Sequence, residues 1–367
     1  MATGTDNFSE TDRAHMAAAL TLAGRGLGRV APNPAVGCVL VKDGMVVGRG
    51  WTQAGGRPHA ETEALARAGA AARGATAYVT LEPCSHRGRT PPCAEALVEA
   101  GVARIVAAME DPDPRVSGRG FARLREAGMA VETGLLEAEA RRLNLGFVLN
   151  RTEGRPLVTV KLATTLDGRI ATASGESRWI TGPQAREEAH LIRARHDAVA
   201  VGIGTALADD PSLTVRLPGH PGPQPLRVVF DSRARLPETH KLAADGAAPT
   251  LVIAGPGASD RIGSAEVACV AAGAEGRIDP NAALRLLAER GVTRLMVEGG
   301  GELAAALLRA GLVDRIAWFR AGGVIGDDGK PAVAALGLEA LGAMTRFARR
   351  SARAVGPDAF ELWERGT

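Results

Sequence analysis

The stretch ATAYVTLEPCSHRGRTPPCAEALVEAG, Ala75 to Gly101, decides how the chain is read. Its apolar, β-prone opening predicts a strand over Ala77–Leu81, and the run from about Cys93 to Ala100, stopped by Gly101, predicts a helix. Between them lies a loop of Pro, Gly and Arg with a cysteine at each end. Moving outward, Arg104–Ala107 reads as another strand and Gly118–Ala127 as a helix closed by Gly128. Upstream, Glu61–Ala71 reads as a helix, and Ala35–Val41 and Met45–Arg49 as two strands around Lys42-Asp43-Gly44, where Asp-Gly is a hairpin signal. Asp12–Leu22 reads as the first helix, with Thr11 or Asp12 as its N-cap. Strands alternating with helices indicate an α/β layer structure.

The alternation runs twice. After a helix through Glu137–Asn150, the polar stretch Arg151–Pro156 carries Gly and Pro, so a domain boundary is expected there, with domains over 1–150 and 155–367. A second series follows: strand Leu157–Leu162, helix Gly182–Arg195, strands Ala198–Gly202, Leu226–Asp231 and Thr250–Ala254, helix Asn281–Arg290, strand Arg294–Val297 and helix Glu302–Ala310. Gly204–Pro225, rich in Gly, Pro, Asp and Arg, reads as loop.

Composition narrows the function. The 367 residues carry 44 basic and 41 acidic side chains, a formal charge of +3, without a long run of like charge. No nucleic-acid or anionic-membrane surface is indicated, although a local basic pocket for one phosphate fits. Aromatics are 3%, too few for the stacking platforms that grip single strands. Met1 to Arg13 is polar and mixed in charge, unlike a signal peptide, and no stretch approaches the apolar length of a membrane span. Four cysteines are too few to staple this chain, so a reducing, cytoplasmic setting is expected, with some thiols free for metal. Cys38 and Cys269, each among small apolar residues, read as core.

His59-Ala60-Glu61, Pro83-Cys84 and Cys93 supply one His and two Cys, the ligand set of a catalytic zinc site whose fourth position stays open for water. His59 stands at the mouth of a helix, Cys84 just past a strand, and Cys93 opens the next helix, so helix N-termini favour the thiolates. Glu61, two residues from a ligand, is placed to shuttle protons. Zinc lowers the pKa of its water to about 7, which makes hydroxide available to attack a ring carbon bearing an amino group. The usual deaminase pattern has two residues between its cysteines; here eight separate Cys84 from Cys93. A structural zinc would need a fourth protein ligand, for which His86 is the nearest candidate.

The segment from His59 through Pro83-Cys84-Ser85-His86-Arg87-Gly88-Arg89-Thr90-Pro91-Pro92-Cys93 resembles the bifunctional deaminase/reductases of riboflavin biosynthesis, in which the eight-residue interval is the norm. Pro32-Asn33-Pro34-Ala35-Val36-Gly37 is similar to that family's PNPxVG stretch. The resemblance implies a cytidine-deaminase-like α/β/α sandwich, one zinc ion per chain, and a phosphorylated substrate, a diaminopyrimidinone carrying a ribosylamino 5′-phosphate. It also implies that Asn33 contacts the pyrimidine and that Arg89 or a neighbour serves the phosphate; otherwise Asn33 is a turn residue between two prolines. Thr52 stands where the family usually has His, which puts one substrate contact in question.

In the second half, Val297-Glu298-Gly299-Gly300-Gly301-Glu302 passes from strand to helix through three glycines, letting backbone N–H groups approach a phosphate at a helix N-terminus. It lacks the GxGxxG spacing, and a glycine turn without a ligand is the plain alternative. Glu298 ends a strand, where open α/β sheets place ligand contacts; otherwise it is a solvated carboxylate, as are Asp209 and Asp210 beside Arg216. The segments Lys161–Arg216 and Glu298–Ala306 resemble the reductase half of the same family, which has a dihydrofolate-reductase-like fold. That resemblance implies that Ala163, Trp179, Thr205, Asp209, Gly300, Gly301, Glu302, Leu303, Ala304, Ala305 and Ala306 line NADPH. Ser177, Arg193, Leu213, Arg216 and Glu298 would hold the substrate, with the two arginines suited to its phosphate. Thr165 replaces the family's Ser, and Trp318-Phe319-Arg320-Ala321-Gly322-Gly323 stands where an apolar strand ending in Ala-Pro is usual, which predicts rearranged last strands.

The leading reading is thus a bifunctional zinc deaminase and NADPH reductase acting on a small phosphorylated pyrimidine, a cytoplasmic homo-oligomer (dimer or tetramer) without nucleic-acid or membrane partners. A nucleoside or base deaminase with a nucleotide-binding second half is the alternative, and a zinc-stabilised scaffold with a nucleotide-sensing domain is a third.

Overall fold

The computed structural model describes residues 8–86, 91–114, 116–220, 222–273 and 276–366. The chain divides into two compact units between residues 153 and 154.

The first unit holds α1 (Glu10–Ala23), β1 (Gly37–Lys42), β2 (Met45–Trp51), α2 (Ala60–Ala68), β3 (Thr76–Val79), α3 (Cys93–Glu99), β4 (Arg104–Ala107), α4 (Arg119–Glu126), β5 (Ala130–Thr133), α5 (Glu137–Leu143) and α6 (Leu145–Glu153). Its sheet runs β2-β1-β3-β4-β5, with β3, β4 and β5 parallel and β1 antiparallel to both neighbours. The Asp43-Gly44 turn takes the positive φ values, 51° and 75°, that a tight hairpin needs. Helix α1 starts earlier than expected: Ser9 caps it in a reciprocal box with Asp12, whose carboxylate also accepts from Tyr78 and Arg104. Asp12 is therefore inside the helix rather than its N-cap.

Two close approaches set where the helices lie. A Cβ on Gly37 would come 1.9 Å from the Ala19 carbonyl oxygen of α1, and one on Gly50 would come 2.1 Å from the Ala60 oxygen of α2. Bare glycine lets α2 begin directly against β2, which fixes His59 and Glu61 at its first turn. The single helix expected over Glu137–Asn150 is two helices, α5 and α6. Between them the buried Asn144 amide pairs with both backbone groups of Ala35, at 2.9 Å each, holding the loop that carries Asn33.

The second unit holds β6 (Leu157–Thr164), β7 (Arg169–Ala171), α7 (Pro183–Arg193), β8 (Ala198–Gly202), α8 (Ile203–Asp209), β9 (Leu226–Phe230), α9 (Lys241–Ala244), β10 (Thr250–Ala254), β11 (Arg261–Ile262), β12 (Ala265–Cys269), α10 (Pro280–Glu289), β13 (Arg294–Glu298), α11 (Gly301–Arg309), β14 (Arg315–Arg320), β15 (Lys330–Pro331), β16 (Phe347–Val355) and β17 (Asp358–Arg365). Ten strands form one sheet in the order β11-β12-β10-β9-β8-β13-β6-β14-β17-β16, parallel from β12 to β14 and antiparallel at both edges. The parallel centre is near-continuously apolar, as a sheet buried on both faces must be.

Three expectations are corrected here. Helix α8 occupies the start of the stretch read as loop. Cys269, at the end of β12, is exposed rather than core. The segment Trp318–Arg320 does not interrupt the sheet: β14 pairs with β6 up to Arg320↔Thr164 and with β17 up to Arg320↔Ala359. Cys38, in β1, is fully buried as expected. Among the described residues, no helix is long and apolar enough to cross a membrane.

Candidate active sites

In the first unit, His59 precedes α2, Cys84 follows the extended run after β3, and Cys93 opens α3. Their donor atoms lie within 4.8 Å of one another. His59 Nδ1 is 3.2 Å from Cys93 Sγ and 3.6 Å from Cys84 Sγ. A tetrahedral ion with bonds of about 2.0–2.3 Å holds its donors roughly 3.5 Å apart, so the set fits zinc. The Cys93 N–H donates to Cys84 Sγ at 3.4 Å, and the Ala94 N–H to the Cys84 carbonyl at 3.2 Å, which fastens the start of α3 to the first thiol. Hydrogen bonding from Cys93, with further help from His59, pulls the Cys84 thiol down to about 4. His86 lines the same cleft but is not part of the cluster, which among the described residues has three members. That donor set is the one a catalytic zinc uses when a fourth position serves water.

Glu61 is 4% exposed, and burial pushes its carboxyl up to about 7, with the Cys84 charge adding to the rise. A carboxyl poised there exchanges protons readily near neutral pH. The cleft around it is lined by Asn33, Thr52, Arg57, His59, Glu61 and Cys84, so the structure brings Asn33 to the thiols across the sequence. Thr52 is buried and its hydroxyl accepts the Val36 N–H at 2.9 Å, a bond that orients the strand entry. Arg89 lies outside the described residues.

Sequence reasoning did not single out Glu82, Asp111, Asp113 and Arg151, which line the cleft as well. Burial raises the Asp111 carboxyl to about 6, helped by Asp113 and Glu82. The signal for Glu82 was its place directly before Pro83-Cys84; the two aspartates sit in a loop whose sequence carries no periodicity.

In the second unit, Glu298 ends β13 and Thr205 lies in the helix that directly follows β8, so both stand at carboxyl ends of parallel strands, where open α/β sheets bind ligands. Glu298 and Lys161 are register partners on β13 and β6. Arg193, at the end of α7, reaches Glu298 Oε1 at 2.7 Å through Nε and also donates to the Thr214 carbonyl. Burial alone would raise the Glu298 carboxyl, but Arg193 and Lys161 outweigh it and hold it below the usual range. Arg216 stands near Arg193 and Glu298, and its N–H meets His190 Nδ1 at 3.3 Å. His190, pushed down to about 4 by burial and then by Arg193 and Arg216, and Lys161, lowered by burial, are members of this cluster that the sequence reading left out.

The glycine turn has the shape expected of a phosphate cradle. Gly299 and Gly300 have φ of 75° and 83°, and a Cβ on Gly300 would come 3.0 Å from Thr205 Oγ1. Thr205 and the start of α11 therefore face one another, and no side chain caps that helix. These features fit a nucleotide pyrophosphate. Glu302 is exposed at this end and Leu303 half-buried, while Ala304 and Ala305 are buried in the core. Arg178 donates to the Asp209 carbonyl at 3.0 Å, bringing the 178–179 segment to the end of α8; Trp179 itself is exposed under Arg186. Leu213 is buried with φ of 50°. Ala163 and Ser177 are half-buried. Thr165 donates to Asp167 at 2.6 Å and accepts the Arg169 N–H, so its hydroxyl closes the turn as serine would.

Comparison with known proteins meets both halves. A model of the RibD C-terminal domain matches residues 156–360, and one of the cytidine and deoxycytidylate deaminase zinc-binding region matches residues 9–109. The riboflavin biosynthesis protein RibD of Escherichia coli is 44% identical over 358 residues, 95% of this chain and 97% of that one. The chain belongs to the RibD family. A solved RibD from Acinetobacter baumannii is 38% identical, covers 98% of this chain and 99% of its own, and superposes with a TM-score of 0.88. A diaminohydroxyphosphoribosylaminopyrimidine deaminase/5-amino-6-(5-phosphoribosylamino)uracil reductase from Thermotoga maritima is 34% identical, with 97% and 99% coverage and a TM-score of 0.87. The protein is thus a bifunctional enzyme of riboflavin biosynthesis, with an N-terminal zinc deaminase domain and a C-terminal NADPH-dependent reductase domain of dihydrofolate-reductase-like fold.

Proposed function

We propose that the unit ending near residue 150 deaminates 2,5-diamino-6-ribosylamino-pyrimidinone 5′-phosphate, and that the unit beginning near 155 reduces the ribosyl group of the product to ribityl. The observation that carries the first step is the meeting of His59, Cys84 and Cys93 with Glu61 and Asn33 at one cleft. His59, Cys84 and Cys93 hold the ion, which when bound supplies an activated water at neutral pH. Glu61 takes up the proton released there and delivers it to the departing amine. Asn33 orients the pyrimidine edge, and Arg89 serves the phosphate.

For the second step, Thr205, Asp209, Ala163, Trp179 and the backbone of Gly300–Ala306 hold NADPH, which supplies the hydride. Arg216 binds the substrate phosphate. Arg193 holds Glu298 in place beside Lys161, and Ser177 and Leu213 complete the substrate side. One coupled assay tests both halves: zinc content, ammonia release and NADPH oxidation, measured with the diaminopyrimidinone ribotide. Ammonia release without NADPH oxidation on the deaminated product would remove the second assignment.

The four cysteines are unpaired, which supports a cytoplasmic setting. The outer strand β16 and the nearby Leu338, Leu341 and Met344 are exposed, which supports a dimer or tetramer, to be checked by sedimentation velocity.

A further inference from the structure

Glu82 stands two residues before Cys84 and is 3% exposed. A carboxylate so buried must be satisfied by donors. Its Oε1 accepts from the backbone N–H groups of Gly120 at 2.7 Å and Phe121 at 3.3 Å, and its Oε2 from those of Gly118 at 2.9 Å and Asp111 at 3.2 Å. Its own N–H donates to the Met109 carbonyl at 3.0 Å. The junction is tight: a Cβ on Gly120 would come 2.0 Å from the Pro83 oxygen and 3.0 Å from Glu82 Oε1.

The four donors are the backbone groups of Asp111, Gly118, Gly120 and Phe121. Asp111, Asp113 and Val116 line the cleft that Cys84 and Glu61 also line. One side chain therefore joins the chain entering the metal-ligand loop to a second part of the cleft wall. We propose that Glu82 is a positioning residue for deamination, holding the part of the cleft wall that carries Asp111, Asp113 and Val116 at the spacing from Cys84 that the pyrimidine requires. The inference rests on the deaminase reading of this cleft.

Glu82→Gln tests it, because an amide that keeps one oxygen must turn N–H groups toward two backbone N–H donors. A wall displaced by about 1 Å costs on the order of a hundredfold in rate. In the full-length zinc-loaded protein we expect one zinc per chain, a KM for deamination raised tenfold or more, a smaller change in kcat, and unchanged reductase kinetics on the deaminated product. A purely structural role predicts a lower melting temperature with the wild-type KM, and that result would overturn the inference, as would loss of zinc. Should Glu82→Gln fail to fold, Glu82→Asp carries the test: its shorter side chain cannot reach all four donors, and a wild-type KM there also overturns the proposal. If the wild-type chain itself released no ammonia, the deaminase reading would fall; a working wild type with an indifferent Glu82 sinks this inference alone.

Discussion

Gly50→Ala puts the seating of α2 to the test. The new Cβ would meet the Ala60 carbonyl oxygen at 2.1 Å, the Ala64 nitrogen at 2.7 Å and the Glu63 Cβ at 2.8 Å, of which the first two are backbone and cannot rotate away. Restoring ordinary contact near 3.4 Å requires α2 to retreat from β2 by about 1.3 Å. Overpacking of this kind costs about 1–3 kcal/mol, a fall of roughly 3–10 °C in the melting temperature of the first unit. The larger effect is chemical. His59 and Glu61 lie on the first turn of that helix, while Cys84 and Cys93 are carried by other elements, so the retreat shifts half of the site against the other half. A displacement of this size predicts loss of deamination on the order of a hundredfold. Ammonia release, zinc content and NADPH oxidation on the deaminated product should be measured in one preparation, the last serving as the control for an intact second unit. Wild-type ammonia release from a folded Gly50→Ala protein would refute the reasoning, because the helix would then have yielded without moving the site.

Further predictions separate the two activities. Glu61→Gln should keep zinc and lose ammonia release by roughly 10²–10⁴-fold; retention of activity would remove Glu61 from proton transfer. Cys84→Ser should remove zinc and deamination while sparing NADPH-dependent reduction of pre-deaminated substrate, and joint loss in a folded protein would contradict two separate sites. Asp12→Asn addresses stability. Burial would raise the Asp12 carboxyl, but bonds from Arg104, Ser9 and Tyr78 outweigh it and hold it below the usual range. Its stabilisation, about 1–3 kcal/mol, is therefore full above about pH 4 and is lost as the pH falls further. Urea unfolding should show the variant weaker than wild type at pH 7 and nearly equal to it well below pH 3; an equal gap at both would refute the linkage.

The zinc donors were legible because each sits at an element boundary written locally: His59 before a helix, Cys84 after a strand, Cys93 opening a helix. The break at Asn144 was not, because its amide leaves the helix for Ala35, 109 residues away. Helix α8 was missed for a related reason. It is seven residues long and buries one side chain, so its periodicity is weak inside a Gly- and Asp-rich stretch. Strand β16 shows no apolar alternation, since seven of its nine residues are exposed and pairing with β17 alone makes it a strand.

The metal donors, the glycine turn before α11 and the two-part alternation are written in the order of the amino acids, because short spacings and local propensities encode them. Packing between distant segments set what surrounds those groups. It closed Asn33 and the Asp111–Asp113 loop onto the thiols and turned Arg193 onto Glu298 beside Lys161. It also gathered four backbone donors around Glu82. Those contacts join residues tens to more than a hundred positions apart, and what selects them is the satisfaction of buried charge, which no local pattern records.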